Sequence, residues 1–442
     1  MKRVLFLGGH PRMANNIEAL DFKVFRDQSF EAVCAHSITE FFDNQNIPFN
    51  KALESLMNNP KIKSRANLLV TFMTGKSYFK SNSFRTRIRI ILFSQYRTDD
   101  FSTLKIVLRH FFRVQTFLSL IAFILGFLRF SPIVFKRILA IGIHEVELLE
   151  KLLGFVDPDL LIFLDNGNNE LFFLLSIMPK RAKMIYVFYV YSWDNASTKC
   201  FIPDRFDYVG AWNHDQIDEI NDISRFPKKN IFVAGSLLAD KAYSTYNSVK
   251  RPTFHYGQGK LLLIGMFNKS NEAQYLLKIN EILKSGKTPY KSITYRPHPQ
   301  SRSNLKKAIH FKLEERGITV DQSKNFNVKK FDGVISLPTS MILEVIVSGI
   351  PLVVFAPIEN NHRAHPYELL NWRHFEKLKS LNLFTVSGNL KNLEQILEIG
   401  IPAQNTNLDA RFQTIFPNFQ NTYELRVKEE IDRILYNIRE KN

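Results

Sequence analysis

Apolar residues along this chain fall into short unbroken runs, each closed by a polar loop and followed by a helical stretch. The first run, Val4-Leu5-Phe6-Leu7, follows Lys2-Arg3 and ends at Gly8-Gly9-His10-Pro11. It predicts a β-strand over 2–8 that turns on glycine; a secretory leader needs a longer apolar stretch. Ser37 with Glu40 three residues on has capping-box spacing and predicts a helix start. Residues 51–144 read as mostly helical. An alternating pattern then sets in, with strands predicted over 160–164, 184–190, 207–212 and 231–235 and a helix over 170–177. The run Leu160 to Leu164 has no polar position, as strands buried on both faces of a parallel sheet require.

A polar stretch from Ser244 to Gly259, holding Pro252 and Gly257, has no apolar period and marks a domain boundary. The pattern then restarts, with strands predicted over 261–264, 292–295, 333–337 and 352–355 and helices over 272–284, 340–347 and 423–439. No repeat in residue identity stands out. Strands alternating with helices, twice over, predict an α/β protein of two Rossmann-like doubly wound domains, 1–245 and 246–442. The first carries a helical insertion at about 51–144, and the terminal helix 423–439 is assigned to the second. Such sheets bind ligands beyond the carboxyl ends of their strands, so the loops following each strand are where chemistry is expected.

Composition changes this picture in one place. The chain has 442 residues with 59 Lys/Arg against 42 Asp/Glu, a net charge of +17. Between Ser55 and His144 there are 15 basic residues and two acids, Asp99 and Asp100, so this segment alone carries +13 and the rest is near neutral. The same segment is rich in Phe and aliphatic residues. Its uncharged stretch, Val114 to Leu128, would span about 22 Å as a helix, short of the ~30 Å hydrocarbon core. Contact with a membrane interface through 104–137, burial in a core and a spanning helix all stay open; nucleic acid is disfavoured by the lack of exposed stacking residues. The two cysteines, Cys34 and Cys200, make no disulfide framework or zinc spacing and suit a reducing, cytoplasmic location.

Several loops carry unusual polar clusters. In Tyr295-Arg296-Pro297-His298-Pro299, two prolines fix the backbone around a guanidinium and an imidazole, a preformed arrangement for a phosphate. In Ser336-Leu337-Pro338-Thr339-Ser340, a strand end leads to hydroxyls at a helix start, where free amides and the helix dipole favour an anion. The same residues are also ordinary N-caps. Glu344, one turn in, can accept a hydroxyl of a ribose or sugar. Gly265 opens the first loop of the second domain without a GxGxxG pattern, and Gly9-His10 is its counterpart in the first. Tyr191 to Lys199 brings Trp193, Asp194, Asn195 and Lys199 into one loop: an indole for a sugar face, amide and ammonium for hydroxyls, and a carboxylate able to act as general base. His362 and His365 lack a carboxylate cluster and do not make a metal site.

Together these segments resemble the GT-B glycosyltransferases of bacterial surface-polysaccharide assembly. Ser192-Trp193-Asp194-Asn195 with Ser197 and Lys199 is similar to the SWDN-x-[ST]-x-K segment of surface-carbohydrate and glycerophosphotransferase-like proteins. Arg296-Pro297-His298-Pro299 is similar to the HP motif of sialyl- and Kdo-type transferases, and Ser336 to Ser340 to their serine/threonine motif. Cys200 stands where such proteins often have glycine, and their acidic D/E-D/E-G motif is absent from the first domain.

The resemblance implies two domains facing across a cleft and metal-independent transfer of a sugar from a nucleotide-sugar, a substrate rather than a cofactor. The acceptor would be a surface polysaccharide or lipid-linked glycan. It places donor binding on Arg296, His298, Ser336, Thr339, Ser340, Glu344 and Gly265. From their loop positions and chemistry, Gly9, His10, Trp193, Asn195 and Lys199 are expected to bind the acceptor, with Asp194 as the catalytic base and Asp165 second. The expected location is the cytoplasm at the inner face of the membrane. Transfer of a polyol phosphate and a non-catalytic glycan-precursor binding protein are the alternatives.

Overall fold

A computed structural model describes residues 2–8, 30–34, helical positions 62, 64–65, 68–69 and 72, 114–165 apart from 129, 142 and 144, then 170–190, 202, 205–235, 257–265, 272–298, 312–323, 327–357, 370, 373–402 and 422–439. These residues form two compact units, each built on a six-stranded, wholly parallel sheet. The chain is thus an α/β protein with two doubly wound sheets.

The first sheet has the order β2-β1-β3-β4-β5-β6, made of Lys2–Gly8 (β1), Phe30–Cys34 (β2), Leu160–Asp165 (β3), Ile185–Val190 (β4), Tyr208–Ala211 (β5) and Ile231–Val233 (β6). Val4 to Leu7 and Leu160 to Phe163 are almost wholly buried, as strands covered on both faces must be. The insertion supplies helices Val114–Phe127 (α1) and Pro132–Ala140 (α2). Glu145–Val156 (α3) leads into β3 and Glu170–Ile177 (α4) follows it. His214–Ser224 (α5) joins β5 to β6, its start capped by the Asn213 side chain, which accepts from the Gln216 amide at 2.9 Å.

The second sheet consists of Gly259–Ile264 (β7), Tyr290–Arg296 (β8), Thr319–Val320 (β9), Gly333–Ser336 (β10), Leu352–Phe355 (β11) and Thr385–Ser387 (β12), in the order β12-β11-β10-β7-β8-β9. Counted within the unit this is 3-2-1-4-5-6, with its reversal point between β7 and β10. One face packs Leu261, Leu263, Ile293, Ile335, Val353 and Phe355 against Glu272–Lys284 (α6) and Leu390–Ile399 (α9). Met341–Ser348 (α7) follows β10, and Arg373–Ser380 (α8) precedes β12.

Sheet register is set at the amino ends by three aspartates. Asp159, just before β3, donates its amide to the Arg3 carbonyl, and its side chain accepts the Arg3 amide at 2.9 Å. Asp207 before β5 does the same to Tyr186 of β4, its carboxylate accepting at 3.0 Å. Asp332 before β10 does so to Lys260 of β7 at 2.7 Å. Each therefore satisfies both backbone groups of one residue on the neighbouring strand. Phe206-Asp207-Tyr208-Val209 and Phe331-Asp332-Gly333-Val334 are consequently the same device in the two units, a short repeat that a comparison of residue identity over longer spans passes over.

One sequence expectation is corrected here. Helix Tyr423–Arg439 (α10) belongs to the first unit, not the second. Arg426 is buried and its Nε donates to the Ala234 carbonyl at 2.9 Å, just after β6. Its guanidinium lies against Gly235, where φ is +78° and an added Cβ would approach Nη2 to 2.7 Å. Tyr423 meets Tyr189 edge-on at 6.5 Å. The apolar stripe of the terminal helix does not by itself name a sheet; the Arg426 and Tyr423 contacts do. The helix start expected at Ser37 lies outside the described residues.

Asp332→Ala removes the side-chain acceptor for the Lys260 amide and should lower the second unit's stability by about 1 kcal/mol, whereas Asp332→Asn keeps an acceptor and should lose less. Urea unfolding of both variants measures this; an unchanged midpoint for Asp332→Ala would deny the carboxylate its part in register.

Candidate functional site

The carboxyl end of the second sheet gathers the sequence-derived donor residues. Gly265 follows β7, Arg296 ends β8 and His298 lies two residues on, while Ser336 ends β10 and Thr339 to Glu344 form the turn into α7. The Gly265 amide donates to the Arg296 carbonyl at 2.9 Å, and the Leu337 amide to the Ile264 carbonyl at 3.1 Å. These bonds continue the ladders one step past the strands and tie the three loops together at the reversal point.

Strand alternation divides the residues of β8 between two tasks. Tyr295 turns to the α6 side, where its buried hydroxyl donates to the Glu272 carboxylate in the first turn of that helix. Burial, then the charge and hydrogen bond of Glu272, pushes the phenol far above its ordinary range. A Cβ on Gly265 would run into Glu272 and lie 3.0 Å from the Tyr295 ring. The glycine of this loop is therefore required by close packing on a polar pair. Neither Tyr295 nor Glu272 was singled out from the sequence; the signal was an acidic residue at the helix start seven positions after a lone glycine.

Arg296 turns the other way. Its guanidinium donates to the Ser323 carbonyl at 3.2 Å and lies 3.5 Å from Asp321, just after β9. Desolvation works to raise the Asp321 carboxyl, but hydrogen bonds from Ser323 and the charges of Arg296 and Lys330 outweigh it and hold it below the usual range. Asp321 thus stays ionised and orients Arg296, a role hidden in the sequence because β9 is only two residues long. The Arg296 charge also reaches Glu344 of α7. That carboxyl is crowded by protein although the residue keeps an exposed face, and desolvation raises its pKa despite Arg296.

The turn before α7 sorts its three hydroxyls. Ser336 is fully buried and donates to the Leu337 carbonyl at 2.8 Å, a bond within the turn. The sequence expectation had placed Ser336, Thr339 and Ser340 together on the donor, with an N-cap role as the alternative. Thr339 Oγ1 accepts the Met341 amide at 3.0 Å and caps the helix. Ser340 is exposed, and its hydroxyl makes no capping bond. His298 is half-buried beside buried Pro297. The arrangement offers an anion a guanidinium, an imidazole, a hydroxyl and a helix N-terminus.

In the first unit, Asp165 ends β3 and pairs with Val190 of β4. Trp212 covers the end of β4, its indole nitrogen donating to the Val190 carbonyl at 2.8 Å. Gly9, His10, Trp193, Asp194, Asn195 and Lys199 lie outside the described residues, as do His362 and His365.

Gly265→Ala should cost about 1–3 kcal/mol through overpacking on Glu272 and Tyr295, read as a lower urea midpoint; an unchanged midpoint would mean the loop tolerates a side chain. Glu344 has a folded pKa above its unfolded value, so its ionisation opposes folding above the folded pKa and has no effect below the unfolded one. Glu344→Gln should therefore raise Tm at about pH 7.5 and lose that advantage by about pH 4. A gain independent of pH would mean the carboxyl is not desolvated.

No family profile and no curated protein matches this sequence. Among solved structures, the chain is similar to the S. aureus MnaA–UDP co-structure, at 9% identity over 99% of this chain and 97% of that one, with a TM-score of 0.49. It is also similar to UDP-GlcNAc 2-epimerase from Neisseria meningitidis bound to UDP-GlcNAc, at 11% identity over 100% of both chains and a TM-score of 0.44. The wall teichoic acid polymerase TagF matches 67% of this chain and 86% of its own, at 11% identity and a TM-score of 0.36. At such identities and scores the strand orders described above, not these neighbours, carry the fold.

Proposed function

We propose that the chain is a glycosyltransferase. It moves a sugar from a nucleotide-sugar to a surface-polysaccharide or lipid-linked glycan acceptor at the cytoplasmic face of the membrane. The observation that supports the reading is that Arg296 and His298 follow β8, and Ser340 and the α7 N-terminus follow β10, at the carboxyl ends of the two strands that flank β7. Doubly wound sheets bind nucleotides there.

In this reading the donor diphosphate lies between Arg296 and the free amides of α7, with Ser340 and His298 as further donors. Asp321 is a positioning residue that keeps the guanidinium in place. Glu344 accepts a hydroxyl of the ribose or sugar. The acceptor oxygen attacks the anomeric carbon, the bond from that carbon to the diphosphate oxygen breaks, and the acceptor proton passes to a carboxylate. Asp194 is the proposed base, with Asp165 the second choice, and Gly9, His10, Trp193, Asn195 and Lys199 hold the acceptor. Charge developing on the leaving diphosphate meets fixed donors, which is why the proposal needs no metal.

Thermal shift with CMP, CDP, UDP and GDP tests the donor site. At a ligand concentration of about 100 times its Kd, the matching nucleotide should add about 2.7 kcal/mol. Arg296→Ala and Ser340→Ala should abolish or sharply reduce the shift. A wild type indifferent to all four would refute the donor assignment. With an identified donor, Asp194→Asn should lower kcat by about 10²–10⁴-fold; full turnover would move the base elsewhere.

A further inference from the structure

The insertion exposes the wrong side of its helices for a water-facing surface. On α2, Phe135 and Leu139 point inward while Ile133 (65% exposed), Val134 and Ile138 (52%) point out, with Arg137 among them, and Ile141 (69%) at the C-cap is exposed as well. On α1, Leu118, Ile121 and Ile124 are exposed at helical spacing while Ala122 and Gly126 are buried; Leu128 and Phe130 continue the exposed series in the link between the helices. The orientation of α2 is fixed from within. Phe135 stacks on Phe72 with centroids 4.1 Å apart. Arg65 Nη1 donates to the carbonyls of Leu139 at 2.7 Å and Ile141 at 2.5 Å, closing the end of the helix. A rotation that hid the isoleucines would break all three contacts.

Charge says what meets this face. From Phe101 to His144 the sequence has six Lys/Arg (Lys105, Arg109, Arg113, Arg129, Lys136 and Arg137) and no Asp or Glu. A second copy of the chain docking here would bring two such segments together, like charge against like. An anionic lipid surface complements both features, since branched apolar side chains enter the acyl boundary while cations meet headgroups. No helix among the described residues is long and apolar enough to cross a membrane. We propose that the outward face of α1 and α2 seats in one leaflet of an anionic bilayer, as an interfacial anchor.

The inference is independent of the nucleotide reading and is tested apart from it. The full chain is floated with vesicles of phosphatidylcholine alone and of phosphatidylcholine with phosphatidylglycerol. The wild type should float with the anionic vesicles and be released by about 0.5 M salt. The triple variant Ile133→Ser, Ile138→Ser, Ile141→Ser should float about tenfold less at equal Tm. Because these positions are exposed, the variant should fold; should its Tm fall, Ile138→Trp gives a second reading, its fluorescence shifting to the blue on addition of anionic vesicles. A wild type that does not float, equal flotation of a folded triple variant, or no blue shift would overturn the proposal. So would a solution dimer that the triple variant converts to monomer, which would assign the face to a second copy.

Discussion

The reciprocal pairing of an aspartate with one residue of the neighbouring strand is the constraint on which both sheets depend. A parallel strand gains its register from no hairpin, because its neighbour arrives through a long crossover. A slip of one residue would send every buried side chain to the opposite face. Asp159, Asp207 and Asp332 remove that freedom at the amino end, each holding both the amide and the carbonyl of a single partner residue. Asp332 acts on β7 and β10, the two strands that flank the reversal point of the second sheet. Fixing their amino ends fixes by geometry where Gly265 and Leu337 emerge at the other end.

The register contacts thereby sit at the amino ends of the strands, and the carboxyl ends are left free for polar groups that a core could not accommodate. The Tyr295–Glu272 pair shows the transition. It is a buried phenol–carboxylate contact directly beneath the loop at Gly265, and it supports that loop without being presented to solvent. One residue further on, Arg296 lies on the other face of the strand, held by Asp321 and the Ser323 carbonyl rather than by hydrophobic packing. A guanidinium oriented by a carboxylate and a carbonyl has little side-chain freedom left to lose on meeting a phosphate.

What the sequence discloses and what it hides follow from element length. Strands such as β3 and helices such as α6 and α10 carry enough period to be recognised, and their predicted limits agree with the structure closely. β9 and β12, of two and three residues, carry none; yet Asp321 owes its place to β9. β2 has five residues but no unbroken apolar run, since Glu31 interrupts it, and it too escaped. The segments Arg296 to Pro299 and Ser336 to Ser340 were legible as loops with unusual chemistry, because prolines and hydroxyls after an apolar run are a local signal. Which hydroxyl faces out was not, since Ser336, Thr339 and Ser340 differ only in the bonds their own turn makes. The terminal helix was assigned to the wrong unit because the contacts that place it are long-range, Arg426 reaching a residue 192 positions away and Tyr423 packing on Tyr189.

The insertion follows a different logic from the sheets. Each exposed isoleucine of α2 forgoes burial that would be worth roughly 25 cal/mol per Å² of apolar surface. A helix free to rotate would recover it by turning inward. Phe135 on Phe72 and Arg65 on the helix end prevent that, so the inner contacts hold the apolar face outward against the hydrophobic effect. The same segment carries +13 of the protein's +17, and clustered positive charge is itself unfavourable in isolation. Both costs are relieved by one environment, an anionic leaflet. Removing the charge alone would leave the isoleucines exposed, and removing the isoleucines alone would leave a screened, salt-sensitive attraction. The two features make sense on one segment because neither is sufficient for stable attachment without the other.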